Sequence, residues 1–116
     1  MVWITNYIKK KPQLMTNKVG FVLIKPQLPE NIGFCARALK NFGFTKLDLV
    51  NPKEKWPNRK AEATSVGAKD ILKKSKIYTD IKSAINNYDV VYSTSARKRD
   101  INKKHLSFNQ FIDSIK

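Results

Sequence analysis

Cysteine and histidine each occur once in 116 residues, glycine four times, and only 9 acidic side chains stand against 23 lysines and arginines. Each shortage removes a class of function. The single thiol, Cys35, cannot form an internal disulfide and suits a reducing cytoplasm; with His105 as its only histidine neighbour in composition, no zinc site can be assembled. Paired carboxylates, a P-loop and a Gly-x-Gly-x-x-Gly segment are all lacking, so hydrolytic, kinase-like and dinucleotide chemistries have no residues to rest on. No apolar run approaches the roughly 18 residues of a membrane span, and a soluble protein without membrane partners is expected.

What is present is positive charge. The formal net charge is +14, which attracts polyanions and makes their binding sensitive to salt. A second reading stays open, because Lys, Asn and Ile are all plentiful, as AT-rich codon choice alone would make them. The four arginines are more informative. Arg37, Arg59, Arg97 and Arg99 persist in a lysine-dominated chain, and a planar guanidinium grips phosphate at two points where an ammonium cannot.

The length allows one domain with one modest core. Residues 1–17 carry Trp3, Ile4 and the run Lys9-Lys10-Lys11 with the charge after the apolar residues, the reverse of a secretory signal, and are expected to be a flexible basic leader. Residues 18–116 form the domain. Val19 to Ile24 is a continuous apolar run, as in a strand buried on both faces. After a loop with two prolines, Ile32, Cys35, Ala36, Leu39 and Phe42 recur at helical spacing, with Phe34, Arg37 and Asn41 facing outward and Gly43 closing the helix. Leu47 to Val50 is a second strand, 61–66 a short helix stopped by Gly67, Lys76 to Tyr78 a third strand, and Asp89 to Ser93 a fourth. Between the last two, Thr79 or Asp80 caps a helix whose inner stripe is Ile81, Ala84, Ile85 and Tyr88. Strands alternating with helices predict an α/β fold, a parallel sheet with helices on both faces.

Asn31-x-Gly33-x-x-x-Arg37, closed by Gly43 and set directly after a first apolar strand, resembles the first motif of the SpoU (TrmH-like) RNA methyltransferases of the SPOUT class. Leu47-Asp-Leu-Val-Asn-Pro52 is similar to that family's second strand, Ala63 to Leu72 to the helical stretch after it, and Val90-Val-Tyr-Ser-Thr-Ser-Ala-Arg97 to its fourth strand and following loop. The last loop is most like the branch acting on tRNA ribose near the anticodon. Four matches in order over residues 18–116 are far more specific than any one alone.

The resemblance implies S-adenosylmethionine-dependent 2′-O-methylation of ribose in tRNA or rRNA. It assigns Arg37 and Asn31 to catalysis, Arg37 orienting phosphate and stabilising the developing alkoxide, or abstracting the proton directly, and Asn31 holding that arginine or the ribose. Thr94 and Ser95 would form a wall of the cofactor pocket, and Arg37, Trp56, Arg59, Arg97 and Arg99 would contact RNA; no metal is implied. Plainer readings accompany each. Asn31 serves equally as an N-cap, Trp56 as a cover over the sheet end, Thr94 and Ser95 as turn formers, Cys35 as a small buried hydrophobe and His105 as a solvated residue.

Ser107-Phe-Asn-Gln110 has the form of a capping box opening a helix with Phe108, Phe111, Ile112 and Ile115 as its stripe. The family's remaining motifs, a Gly- and Glu-containing strand end and the segment threading the trefoil knot, have no counterpart, and no glycine follows Gly67. The expectation is therefore the N-terminal part of a SPOUT-type fold lacking the C-terminal knot. It would act as a homodimer or with a complementing second polypeptide, or else as a non-catalytic RNA-binding remnant; a relic without function is the third reading.

Overall fold

The computed structural model describes residues 2–6, 18–94, 107, 109–110 and 113. Its elements in chain order are β1 (Val2–Asn6), β2 (Val19–Ile24), α1 (Pro29–Asn41), β3 (Leu47–Val50), α2 (Arg59–Thr64), α3 (Lys69–Lys74), β4 (Ile77–Tyr78), α4 (Ile81–Ile85) and β5 (Val90–Thr94). They build one five-stranded sheet in the order β4-β3-β2-β1-β5. Strands β2, β3 and β4 pair in parallel, Phe21 opposite Leu47 and Leu49 opposite Ile77. This is the parallel α/β core that the alternation of apolar runs and helical stripes predicts.

The period-2 alternation of side chains divides the core between the two faces of that sheet. Leu47 and Leu49 lie on one face with Ile32, Ala36 and Leu39 of α1, Ala61 of α2, and Ile71 and Leu72 of α3; Phe21 and Leu23 pack against this cluster. Val22 and Val50 lie on the other with Ala84 of α4, joined by Ile24, Tyr78 and Ile81. Helices thus cover both faces. Between the sheet and α4 a polar tie is buried: Asp48, 2% exposed, accepts a hydrogen bond of 2.9 Å from the Lys76 backbone N–H, which joins β3 to the segment entering β4.

Three local expectations need correction. Val2–Asn6, read as part of a flexible leader, is a strand that pairs antiparallel with both β2 and β5. As a result β5 runs in the direction of β2 yet has β1, and not another parallel strand, as its hydrogen-bonded neighbour. Phe42 does not join the inward stripe. It is the C-cap of α1 and 76% exposed, because the helix stops one residue earlier. Phe44 fills the place instead, edge-on to Phe21 with ring centroids 4.9 Å apart. Tyr88 lies past the end of α4, its N–H bonded to the Ile85 carbonyl, and its ring stands 5.1 Å from Lys46 Nζ. The Tyr88 hydroxyl is buried without a hydrogen-bond partner among the described residues; the Tyr88 side chain first, then Asp48 and Tyr78, push the Lys46 ammonium up despite its partial burial.

Two caps follow the sequence signals. Asp80 accepts from the Ser83 N–H at 2.8 Å to open α4, and that bond lowers the carboxyl below its ordinary range. Ser107 and Gln110 bond reciprocally, at 2.8 and 3.2 Å, as a capping box does. Among the described residues no helix is long and apolar enough to cross a membrane.

Candidate functional site

The loops that leave the carboxyl ends of β2 and β3 carry the backbone tension of this molecule. Lys25 and Asn51, the residues immediately after those strands, both have positive φ, 50° and 46°, a conformation non-glycine residues rarely hold. Neighbouring bonds hold them there. Lys25 N–H donates to the Val50 carbonyl at 2.7 Å, and Asn51 N–H to the Tyr78 carbonyl at 2.9 Å; the Asn51 amide donates to the Thr79 carbonyl at 2.7 Å. Strain over-determined in this way collects where a sheet presents its ligand-binding edge.

Helix α1 starts from this edge. Pro29 occupies its first turn, suited by fixed φ and the absent N–H, and Leu28 is the extended N-cap with no side-chain bond. Asn31 is therefore not the cap: it lies inside the helix, exposed, and its backbone N–H returns to the Leu28 carbonyl at 3.1 Å. The N-cap role falls to Leu28 and not to Asn31. Arg37 is exposed as well, as the outward stripe predicts. The two are six positions apart, about 120° around the axis, so Asn31 cannot hold Arg37 along the helix. Between them, three positions from each, stands Phe34, 54% exposed. Asn31, Phe34 and Arg37 thus form one outward row of amide, aromatic ring and guanidinium. Sequence reasoning placed Phe34 outward without giving it a role; the signal was an aromatic on the polar stripe of an otherwise segregated helix.

Gly33 explains its own presence in the motif. A Cβ built there would overlap Thr64 Oγ1 and the Ala61 carbonyl oxygen, so only glycine lets α2 approach α1 so closely. Thr64 Oγ1 completes the contact by donating to the Glu30 carbonyl at 2.8 Å. The opposite end of α1 closes in a Schellman motif, with Gly43 at φ 82°, Gly43 N–H to Lys40 O at 3.0 Å and Phe44 N–H to Leu39 O at 2.9 Å. Cys35 lies on the core side of this helix, and burial pushes its thiol up, which suits the inert role.

Trp56, in the 51–58 loop, packs against the core cluster and stays partly exposed. Arg59, the first residue of α2, is exposed and lines an open depression with Lys53, Glu54, Lys55, Pro57 and Asn58. Thr94 is exposed at the last position of β5, on the same sheet edge as the Lys25 turn. Ser95, Arg97 and Arg99 lie outside the described residues, as does His105. Thr94 sits opposite Val2, and Val2 opposite Leu23, so two strand spacings, about 9–10 Å, separate it from the strand that leads into α1. The described residues therefore present an outward amide–aromatic–guanidinium row, a basic rim and, at the end of β5, exposed Thr94. That set does not enclose a ligand the size of S-adenosylmethionine.

The sequence model of the SpoU rRNA Methylase family matches residues 18–113. The chain is 40% identical over 87 residues, 75% of its length and 34% of the relative's, to the tRNA (cytidine/uridine/adenosine-2′-O-)-methyltransferase TrmJ of Pseudomonas aeruginosa (strain UCBPP-PA14). It is 38% identical over 87 residues, again 75% of this chain and 34% of the relative, to the tRNA (cytidine/uridine-2′-O-)-methyltransferase TrmJ of Yersinia pestis (strain Pestoides F). A crystal structure of TrmJ from Z. mobilis ZM4 superposes with a TM-score of 0.76 at 37% identity, covering 81% of this chain and 42% of that one. The chain thus spans about a third of the length of the curated relatives it matches.

Proposed function

Since the chain belongs to the SpoU rRNA methylase family, we propose that it is the RNA-facing part of a tRNA 2′-O-ribose methyltransferase. The observation that carries this reading is the outward row Asn31, Phe34 and Arg37 on the helix that opens at the carboxyl edge of a parallel sheet, in a chain of net charge +14. Arg37 is exposed, so its guanidinium is available for bidentate contact with a phosphate beside the target ribose. Asn31 offers an amide to a ribose hydroxyl. Phe34 gives a face on which an unpaired base stacks, as proteins reading single-stranded RNA do. Arg59 and its lysine neighbours extend the phosphate track along the 53–59 rim, with Arg97 and Arg99 assigned to the same strand of RNA. S-adenosylmethionine would supply the methyl group; Thr94 and Ser95 are the residues of this chain assigned to it, and a homodimer partner or second polypeptide would supply the rest of its enclosure.

A second reading, RNA binding without catalysis, is favoured by one observation: β1 lies between Thr94 and the strand leading to α1. Titration calorimetry with S-adenosylmethionine, with and without bulk tRNA, separates the two, saturable cofactor binding supporting the enzyme and its absence from the folded chain the binding module. The shared RNA reading is tested by Arg37→Ala. Bulk tRNA affinity is expected to fall about tenfold, the 1–3 kcal/mol of one good contact, with an unchanged urea midpoint; equal affinity would remove Arg37 from the interface.

A further inference from the structure

Helix α2 carries Arg59 of the basic rim at its first position and Thr64 at its last. A threonine hydroxyl inside a helix ordinarily turns back on the carbonyl three or four residues earlier. Thr64 Oγ1 stands 3.2 and 3.3 Å from those two carbonyls, of Ala61 and Lys60, but 2.8 Å from the carbonyl of Glu30 in the first turn of α1. With one proton to give, the hydroxyl makes its shortest bond across the interface between the helices, in the space that the missing Cβ of Gly33 leaves open. The rim is tied to the entrance of α1 a second time, by the Lys53 N–H, which donates to the Pro26 carbonyl at 3.1 Å. Between these ties it keeps its own shape: Asn58 accepts from the Lys60 N–H at 2.9 Å and donates to the Lys55 carbonyl at 3.3 Å. After Thr64 the chain follows α1 toward its carboxyl end, where Lys40 pairs with Asp70 at 2.9 Å. The rim therefore lies beside the start of α1, and Arg37, four positions after Gly33, is on the same side of α1 as the contact with α2.

We propose that Thr64 is a positioning residue of the RNA site: its hydroxyl holds the basic rim at one spacing from the α1 row, so that a single strand of RNA meets Arg59 and Arg37 together. The role rests on the RNA reading of row and rim given above, whereas the tie itself is a property of the fold. Arg37 and Arg59 stand on separate helices and both are exposed. A phosphate backbone gains fully from the second contact only if the spacing is set before it arrives, because a loosely held rim loses part of that contact to the ordering of α2 against α1. Thr64 does not touch the RNA and acts through α2.

Thr64→Val and Thr64→Ala remove the hydroxyl, the second without placing a methyl where the hydroxyl meets Gly33, and Thr64→Ser keeps it. Bulk tRNA affinity is measured against salt for each, in the parent chain and in an Arg59→Ala background, with a urea midpoint to show that the chain is folded. Loss of the hydroxyl is expected to weaken binding by the parent chain about fivefold and to lower the magnitude of the salt slope by about 1, as removal of Arg59 itself does. In the Arg59→Ala background the same substitutions are expected to change affinity by less than about twofold, and serine restores both affinity and slope. A merely structural role lowers affinity by one factor in both backgrounds and leaves the slope alone; that result overturns the proposal, as does parent-like binding by the hydroxyl-free variants or the failure of both to fold. If Arg59→Ala alone changes neither affinity nor slope, the rim leaves the RNA interface and the positioning role falls with it, while Arg37→Ala still decides the RNA reading of α1.

Discussion

At Gly33 a single hydrogen atom decides whether two helices can dock. The Thr64 hydroxyl and the Ala61 carbonyl occupy the space a methyl would take, and both are anchored, the hydroxyl by its bond to the Glu30 carbonyl. Gly33→Ala is expected to destabilise the fold by about 1–3 kcal/mol, the range for forced overpacking, read as a lower urea midpoint with unchanged slope. Cys35 follows two positions later on the same helix. Its thiol is raised by burial, so the folded state holds the proton more tightly than the unfolded one. The associated stability is complete below the ordinary thiol range, near pH ~8.5, and is lost as pH rises through and beyond it. Cys35→Ala is expected to flatten the decline that begins in the thiol range; an unchanged decline between pH 8 and 10 would show that the thiol does not carry it, and Lys46 and Tyr78, also raised, lose their contributions only from about pH 10 upward.

At the scale of the element, α1 shows what a sequence pattern can and cannot say. Its apolar stripe through Ile32, Ala36 and Leu39 and its terminal glycine were legible, because a 3.6-residue period and a left-handed C′ position each leave a local mark. Gly43→Ala is expected to cost about 1–2 kcal/mol, the penalty of a Cβ in the left-handed region, measured by thermal or urea unfolding. The last residues of the stripe were not legible. Phe42 and Phe44 are equally apolar, and the choice of which one packs is made by the Schellman turn, which rotates the chain and delivers Phe44 to Phe21. The candidate site divides in the same way. Arg37 was readable as an outward residue of the motif, whereas the row it makes with Phe34 emerges only when the exposed face is seen to have no covering element among the described residues. Asn31 was readable as a motif residue and misread as a possible cap, since a cap is assigned by where the helix begins and Leu28 begins this one.

Over the whole molecule, charge and topology govern. With net charge +14, the logarithm of tRNA affinity is expected to fall linearly with the logarithm of salt, with a slope near −0.9 per phosphate neutralised on a duplex and about −0.7 on a single strand. Arg37→Ala and Arg59→Ala should each reduce the magnitude of that slope by about 1. A slope unaffected by either change, with affinity intact, would place the charge outside the interface and favour the compositional origin of the lysines.

The sequence by itself determined the class of fold, the order of the parallel elements β2, β3 and β4, the helices on both faces and the family, because each depends on short-range period, turn chemistry and motif spacing. Only the tertiary structure decided that Val2–Asn6 lies between β2 and β5, that Trp56 packs on the core, and that Gly33 is a helix-docking position. The physical reason is common to all three. Strand pairing, ring burial and close helix approach are contacts between segments far apart in the chain, and a five-residue run such as Val2–Asn6 carries no local mark of the neighbours with which it will share its hydrogen bonds.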